Sequence, residues 1–294
     1  TSLHHTLLKG KFMQFLSRSF HFHRASAGLI AAALLTTTVG LTNTEANESK
    51  GRFRQILPPN REAFGTNYAD LTGKWWEWAV NIPTETNPIL DPGGKENANA
   101  CQVGQFKVAD VFFLAGTFGN EEPVTRYCTV PANKPLFFPL LNGLFWVPED
   151  GDTVEEVRRG VNLGSELANG IKLTAEINGR PVEDIFAYRA QSPPGGFTIP
   201  FREGGIVTTL FGFDPGDRSP TVADGYWLFL RPLRPGNHEI RFTATRNRDN
   251  FELDVIYKLT VVNNYRTQKK RKPSYHRRNN RLRIPKNSPW YRYQ

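Results

Sequence analysis

Ile171-Lys-Leu-Thr-Ala-Glu-Ile177 alternates apolar with polar residues and is followed by Asn178-Gly179. Alternation with a period of two is typical of a half-buried β-strand, and Asn-Gly favours the type I′ turn of a two-residue hairpin. Residues 226–230, 238–245 and 251–262 predict three further strands, separated by Pro/Gly-rich or polar turns. The second half of the chain therefore predicts an antiparallel sheet.

The first half adds short apolar runs at 111–114, 127–130, 136–141 and 144–147, which predict buried strands. Short strands that recur between Pro/Gly turns, with few helical segments, are typical of a sandwich. We therefore predict an all-β protein, an antiparallel β-sandwich of the jelly-roll or Ig-like kind, with one or two short helices packed on it.

Helical spacing appears first at residues 70–82, where apolar residues recur at 71, 75, 78 and 82. Asp70 or Thr72 can cap this helix, and Pro83 ends it. A second helix is predicted after Glu149, since Asp152 with Glu155, or Thr153 with Glu156, matches a capping box. The first helix is expected to lie as a lid on a sheet.

The N-terminal region has the order of a secretory signal peptide. Met13 is the only methionine and is followed by a basic segment with Arg18 and Arg24, an apolar run at 25–35 and Thr44-Glu45-Ala46. The apolar run is too short for a membrane anchor, which needs roughly 20 residues. Residues 1–46 are thus predicted to be a leader and signal peptide cleaved after Ala46, and the protein to be secreted or periplasmic.

Three further segments follow the predicted cleavage site. Residues 47–67 contain few apolar side chains and predict a flexible lead-in, and residues 68–265 predict a single β-sandwich domain. Residues 266–294 hold eleven Lys and Arg and no Asp or Glu, which predicts a basic, disordered tail able to contact anionic surfaces. The alternative is a merely solvated tail.

The formal net charge of +9 resides in the two ends of the chain. Residues 1–46 contribute +3 and residues 266–294 contribute +11, so residues 47–265 carry a net charge of −5. An acidic domain lacks the basic footprint of a specific nucleic-acid-binding protein. No such function is predicted for the domain.

The two cysteines, Cys101 and Cys128, both lie after the predicted export signal. In an oxidising compartment two such thiols are expected to form a disulfide. A structural metal site would need two more ligands, and the domain has one histidine, His238.

Several motifs of the domain form a recognisable set: Trp75-Trp76-Glu77-Trp78-Ala79, the Cys101 segment, and Arg126-Tyr-Cys-Thr-Val-Pro131. With Phe112-Phe113-Leu114-Ala115-Gly116 and Lys134-Pro-Leu-Phe-Phe-Pro-Leu-Leu-Asn142, they resemble a family of uncharacterised secreted bacterial proteins. The resemblance extends from about Tyr68 to Val262. It implies a bacterial exported protein and brings neither an activity nor site residues.

The predicted first helix carries the main candidate ligand-binding residues, Trp75, Trp76 and Trp78. Three indoles within four positions exceed what one buried stripe needs, and adjacent side chains cannot face the same way. At least one indole is therefore expected at a surface or at a second interface. At a surface it can stack on a sugar ring; the alternative is that all three belong to the core.

Acidic side chains supply the other candidate sites. Asp214, Asp217 and Asp224 are weak candidates for calcium, the only cofactor the sequence suggests, since calcium prefers oxygen ligands. Glu149-Asp150-Gly151-Asp152 is a second such cluster, but neither matches a calcium loop. Turn formation and helix capping are the alternative role for both.

Catalytic motifs give little support to an enzyme. His238 is the only histidine of the domain, so a Ser-His-Asp triad would have to use it. Ser165 lacks the flanking glycines of a Gly-x-Ser-x-Gly nucleophile elbow. The sequence favours a non-catalytic binding module for glycan, cell envelope or protein. The alternative is an extracellular polysaccharide-degrading enzyme, a lyase or a glycosidase.

Overall fold

The computed structural model describes residues 55–120, 122–164 and 170–265. The predicted leader at 1–46, the start of the lead-in at 47–54, Ser165 and the predicted basic tail at 266–294 lie outside these residues. The helices are α1 (Tyr68–Asn81), α2 (Val154–Gly160) and α3 (Ile206–Leu210). The strands are β1 (Phe112–Phe113), β2 (Val124–Pro131), β3 (Leu136–Trp146), β4 (Ile171–Ile177), β5 (Arg180–Pro181), β6 (Arg189–Gln191), β7 (Phe197–Phe201), β8 (Gly216–Leu230), β9 (Gly236–Arg246) and β10 (Phe251–Val262).

The ten strands form two five-stranded sheets. The first has the order β1-β3-β8-β6, with β7 also paired to β8, and the second has the order β2-β10-β9-β4-β5. The sheets pack face to face, and the rings of Phe138 on β3 and Phe242 on β9 lie 5.3 Å apart. The protein is therefore mostly β with few short helices, as the sequence predicted.

Both sheets are mixed, which corrects the prediction of purely antiparallel pairing. β1 runs parallel to β3, and β10 runs parallel to β2 over eight residue pairs from Val124 to Pro131. The remaining pairs between the described strands are antiparallel. The β2–β10 pair arises because the last described strand returns alongside the second, a long-range pairing that residue alternation does not encode.

Helix α1 covers the outer face of the first sheet. Tyr68 lies edge-on to Phe137, and its hydroxyl donates to Leu57 O at 2.6 Å and accepts from Phe229 N at 3.0 Å. Asn67, rather than Asp70 or Thr72, caps the helix by accepting from Asp70 N. The predicted lid on a sheet is thus observed, and it starts two residues earlier than predicted.

Residues 55–57, which the sequence assigned to a flexible lead-in, lie against β8. Ile56 bridges to Leu230, Leu57 N donates to Phe229 O at 2.8 Å, and both side chains are buried. The folded unit therefore starts before residue 68. Among the described residues, no helix has both the length and the apolar character needed to cross a bilayer.

The segment 83–111 folds as a chain of short 3₁₀ turns over the open edge of β2. Gly94 N donates to Thr125 O and Asn99 N donates to Tyr127 O, both at 2.8 Å. Gly93 is required here, because a Cβ at this position would meet Thr125 O at 2.3 Å. Cys101 and Cys128, with Cα atoms 6.0 Å apart, form the predicted disulfide and hold this segment to β2.

Arg126 on β2 anchors the same segment from inside. Its guanidinium is buried and donates to the backbone oxygens of Ile89, Asp91, Ala115 and Gly116 at 2.8–3.2 Å. The Asp91 carboxylate lies 3.6 Å from its Nε. Burial raises the pKa of Asp91 above its ordinary value, and the charge of Arg126 opposes that rise. Arg126 is therefore a structural residue, since its donors are used within the fold.

Local sequence patterns predicted the bounds of some strands, turns and helix caps correctly and others incorrectly. β4 and β10 have the predicted bounds, and Asn178 and Gly179 both have positive φ, as a type I′ turn requires. Thr153 caps α2 and accepts from Glu156 N at 3.2 Å, the second of the two predicted boxes. The second strand of the hairpin that begins with β4 is short: β5 spans only Arg180–Pro181, and a 3₁₀ turn follows at Ile185–Tyr188.

Candidate functional site

A surface groove of about 430 Å³ lies along the outward face of α1. The turn at 64–66, residues 108–111, and Pro193, Phe197 and Thr198 complete its lining. Its lining mixes aromatic, aliphatic, hydroxyl and charged side chains, and its volume is within the range of small-molecule sites, roughly 300–1,000 Å³. The lining residues are Phe64, Gly65, Thr66, Asp70, Gly73, Lys74, Glu77, Val108, Ala109, Asp110, Val111, Pro193, Phe197 and Thr198.

Helix α1 separates its polar face from its indoles. Asp70, Lys74 and Glu77 line the groove, whereas the indole-bearing side faces the protein interior. The amphipathic sequence of residues 68–81 explains this orientation, because the apolar positions fall on the side that contacts the first sheet. Helix α1 therefore borders the groove through its charged side chains and not through the tryptophans that the sequence analysis proposed as ligand-binding residues.

The structure buries all three candidate indoles. Trp75, Trp76 and Trp78 are 2 %, 3 % and 3 % exposed. Trp75 Nε1 donates to Leu114 O at 2.9 Å and Trp78 Nε1 donates to Val103 O at 3.0 Å. Segment 83–111 covers the side of α1 that the sheet leaves open, which is why more than one face of the helix is apolar. Of the two positions expected for the additional indoles, the structure shows the second interface and no indole at the surface.

Trp75 and Trp76 border a small internal cavity of about 40 Å³, together with Asn142 on β3. This volume is sufficient for one or a few water molecules and far too small for a sugar ring. The three indoles therefore pack α1 against the rest of the protein, as the alternative that all three belong to the core stated. In this conformation they offer no surface to a ligand.

Phe64 is the most exposed large hydrophobic side chain of the described residues. Its ring is 49 % exposed, and the only other such side chain is Phe186, at 41 %. Phe64 has φ +56° and Gly65 has φ +69°, so the turn holds a bulky residue in the left-handed region. That conformation costs an aromatic residue about 1–2 kcal/mol and persists only when the surrounding structure imposes it. The fold therefore holds this ring at the groove against a local preference.

Phe197 forms the opposite aromatic part of the groove and lies against α1. Gly73 makes this approach possible, because a Cβ at position 73 would lie 3.2–3.3 Å from the ring of Phe197. Phe64 and Phe197 were not candidates from sequence. The only signal was an aromatic-Gly pair, Phe64-Gly65, in an otherwise polar segment, and nothing in the sequence indicated that residue 197 lies near residue 73.

The charged side chains of the groove make separate pairwise contacts. Lys74 Nζ lies 3.2 Å from Glu77 Oε2, and Asp110 is paired with Lys134. Asp70 accepts from Asn67 Nδ2 at 2.7 Å and has no cationic partner among the described residues. The groove can thus offer carboxylate acceptors beside exposed aromatic surface.

The three calcium candidates do not meet. Asp214 and Asp217 are exposed, whereas Asp224 is fully buried and accepts from Arg189 Nη2 at 2.8 Å and from Leu163 N at 2.7 Å. Asp217 and Asp224 are seven residues apart on β8, a separation of roughly 23 Å along an extended strand. In residues 55–120, 122–164 and 170–265, His, Cys, Asp and Glu form no group of three that would hold a metal ion.

The acidic turn after β3 lies against the start of β8. Glu149 Oε1 is 3.2 Å from Arg218 Nε, and Arg218 donates to Asp214 O at 3.0 Å, so the two acidic segments of the sequence are neighbours. Asp150 accepts from Trp146 N at 3.0 Å. Burial raises the pKa of Asp150 to about 7; the hydrogen bond from Trp146 lowers it, and the charge of Glu149 raises it further.

His238 lies near the start of β9, and both of its ring nitrogens make local contacts. Its Nε2 is 2.8 Å from Arg234 O and its Nδ1 is 3.0 Å from Asn178 Nδ2, next to the hairpin turn. Both ring nitrogens are used in local backbone and turn contacts. This is the surface or strand-end position expected for a single imidazole.

Comparison of the chain with protein-family models, with curated proteins and with solved structures found no match. The groove and its chemistry are therefore the basis on which a function is proposed.

Proposed function

We propose that the protein is a non-catalytic binding module and that the groove beside α1 binds a glycan. One observation carries the proposal: the fold exposes Phe64 to solvent, in a left-handed backbone conformation, in the lining of a groove of about 430 Å³. Unusual backbone conformations that the surrounding structure imposes are concentrated at functional sites. The backbone conformation and exposure of Phe64 are therefore the ground for assigning it a role in binding.

The chemistry of the lining suits a carbohydrate. A sugar ring has an apolar face of C–H groups that packs on an aromatic ring, and its hydroxyls require hydrogen-bond partners at the edge. Phe64 and Phe197 supply the aromatic surface. Asp70 and Glu77 supply carboxylate acceptors, which form hydrogen bonds stronger than neutral ones, and Thr198 supplies a hydroxyl.

Export forms part of the same proposal. The disulfide between Cys101 and Cys128 fits an oxidising compartment, and the signal-like order of residues 1–46 directs the chain there. The mature protein is expected to begin near Asn47. Intact-mass analysis of protein recovered from a cell envelope or medium tests this, and a retained leader would contradict it.

A polysaccharide-degrading enzyme remains the second candidate, and Asp150 is the observation that favours it. A carboxyl group whose pKa is raised to about 7 holds a proton that a general acid can donate near neutral pH. Glu149 lies next to it and is paired with Arg218. The groove ranks first because it provides a cleft for a polymer, and Asp150 does not line it.

A glycan panel combined with a product assay separates the two candidates. We expect retention of the protein on at least one glycan, with no reducing ends and no unsaturated sugars formed. Product formation that Asp150→Asn abolishes would contradict the binding-module proposal and support the enzyme. Absence of retention on every neutral, acidic and amino-sugar polymer would contradict glycan binding altogether.

A further inference from the structure

We infer that the groove selects a sugar polymer that carries free amino groups over one that is acidic or fully acetylated. This inference rests on the proposed glycan site and names the class of its ligand. It follows from charge complementarity between the ligand and the described lining of the groove.

The charges of the groove are mostly negative. Three carboxylates line it, those of Asp70, Glu77 and Asp110, against one ammonium group, that of Lys74. Lys74 is paired with Glu77 at 3.2 Å, and Lys134 beside the groove is paired with Asp110, so these three carboxylates and two ammonium groups sum to −1 and the unpaired charge is that of Asp70. An approaching uronate or sulfate would therefore meet like charge, which is a standard means of rejecting a ligand.

Asp70 is the group that would receive a cation. It is exposed, and its carboxylate has the amide of Asn67 as a hydrogen-bond partner and no cationic partner among the described residues. A ligand ammonium can thus form a charge-assisted hydrogen bond without first displacing an existing ion pair. Glu77 and Asp110 lack this freedom, because Lys74 and Lys134 hold them.

Phe64 contributes to the same selection. An ammonium group within about 6 Å of an aromatic ring centre is attracted by the negative face of the ring. Phe64 has its ring half exposed in the groove that Asp70 also lines. An aromatic ring and a free carboxylate together recognise an amine more strongly than a hydroxyl or an acetamide. A sugar with both an apolar ring face and an amino group uses both features.

The test uses two oligosaccharides of equal length, β-1,4-linked glucosamine and its fully N-acetylated form, at a pH that keeps the amines protonated. The full chain is expected to bind the amino form about fivefold to tenfold more tightly at low salt, and the difference should shrink as salt is raised. Asp70→Asn is expected to bring the two affinities within about twofold. Asp217→Asn, an exposed acid outside the groove lining, should leave the preference unchanged.

Each outcome decides the inference. Equal affinity for the two forms, with binding that still depends on Phe64, overturns the amino-group selectivity and leaves the glycan-binding proposal in place. Selectivity that survives Asp70→Asn also overturns it, because the carboxylate assigned to the amine would then not account for the preference. Failure to bind either form overturns this inference, and the wider glycan panel then decides the proposed function separately.

Discussion

Gly73 on α1 and Phe197 on β7 fit together so closely that a Cβ at position 73 would lie 3.2 Å from Cγ of the ring. The two residues are distant in sequence, yet both line the groove. A helix interior ordinarily disfavours glycine by up to about 1 kcal/mol relative to alanine. The absence of a side chain at position 73 therefore serves the packing of Phe197 rather than the helix.

Gly73→Ala is the first test of this contact. The added methyl must displace the ring of Phe197 by a few tenths of an ångström, which should weaken glycan binding by about threefold or more. Thermal stability should change little, because the gain in helix propensity offsets the crowding. Gly195→Ala is the control, since a Cβ there meets nothing within 4 Å. Calorimetric titration of both variants checks the expectation, and equal affinities would contradict it.

Asp150 predicts a specific pH dependence of stability. Burial raises its pKa to about 7, so the folded state keeps the proton at a pH where the unfolded state has lost it. The stability from this group is present below the unfolded pKa, near 4, and is lost as pH rises through 7. We expect a loss of about 2 kcal/mol over this window, smaller than the full shift implies because Asp150 is partly exposed.

The variant Asp150→Asn should remove this dependence. Its amide oxygen can still accept from Trp146 N, and it needs no proton to be neutral. Urea unfolding between pH 4 and pH 8 should show the variant gaining stability relative to the wild type as pH rises. Asp152→Asn, an exposed neighbour, should follow the wild type. Parallel curves for wild type and Asp150→Asn would contradict the assignment.

Removing the disulfide should lower the free energy of unfolding. Cys101 and Cys128 are 27 residues apart, and closing a loop of this size stabilises the folded state by about 3–4 kcal/mol in the chain-entropy model. The double variant Cys101→Ala with Cys128→Ala should lose that amount in urea unfolding. Two thiols that react with a maleimide in unfolded, unreduced protein would show that the bond is not formed.

Residues 266–294 predict binding to anionic polymers that is independent of the groove. Eleven Lys and Arg with no acidic residue should retain the full chain on heparin or anionic vesicles at low salt. A chain that ends at residue 265 should lose this retention, because residues 47–265 carry net negative charge. Retention that persists after the deletion, or that does not fall as salt is raised, would contradict a role for these residues.

Elements with a strong local pattern could be predicted from the sequence. The alternation of Ile171–Ile177 and Phe251–Val262 gave β4 and β10, and the Asn178-Gly179 pair gave the hairpin turn. β7 was missed because it is short and contains Pro200, and its pairing with β8 places an unremarkable segment beside α1. The parallel pairing of β2 with β10 was missed because it joins residues more than 100 positions apart.

The groove could not be predicted for a related reason. Four segments separated along the chain form it, and its two aromatic residues, Phe64 and Phe197, are 133 positions apart. The sequence pointed to the helix that borders the groove, but to its indoles rather than to its polar side chains, because three indoles in four positions exceed what one buried stripe needs. The structure shows that segment 83–111 covers a second face, so Trp75, Trp76 and Trp78 are all core residues.

The most direct test of the account compares the two exposed aromatic residues. Calorimetric titration of the best-retained glycan should show affinity reduced about tenfold or more in Phe64→Ala, since truncating an aromatic contact residue commonly costs that much. Phe186→Ala removes a similarly exposed ring that lies outside the groove lining, against Tyr226, and should bind within about twofold of wild type. Equal affinity of Phe64→Ala and wild type, with both proteins folded, would contradict the claim that this groove is the binding site.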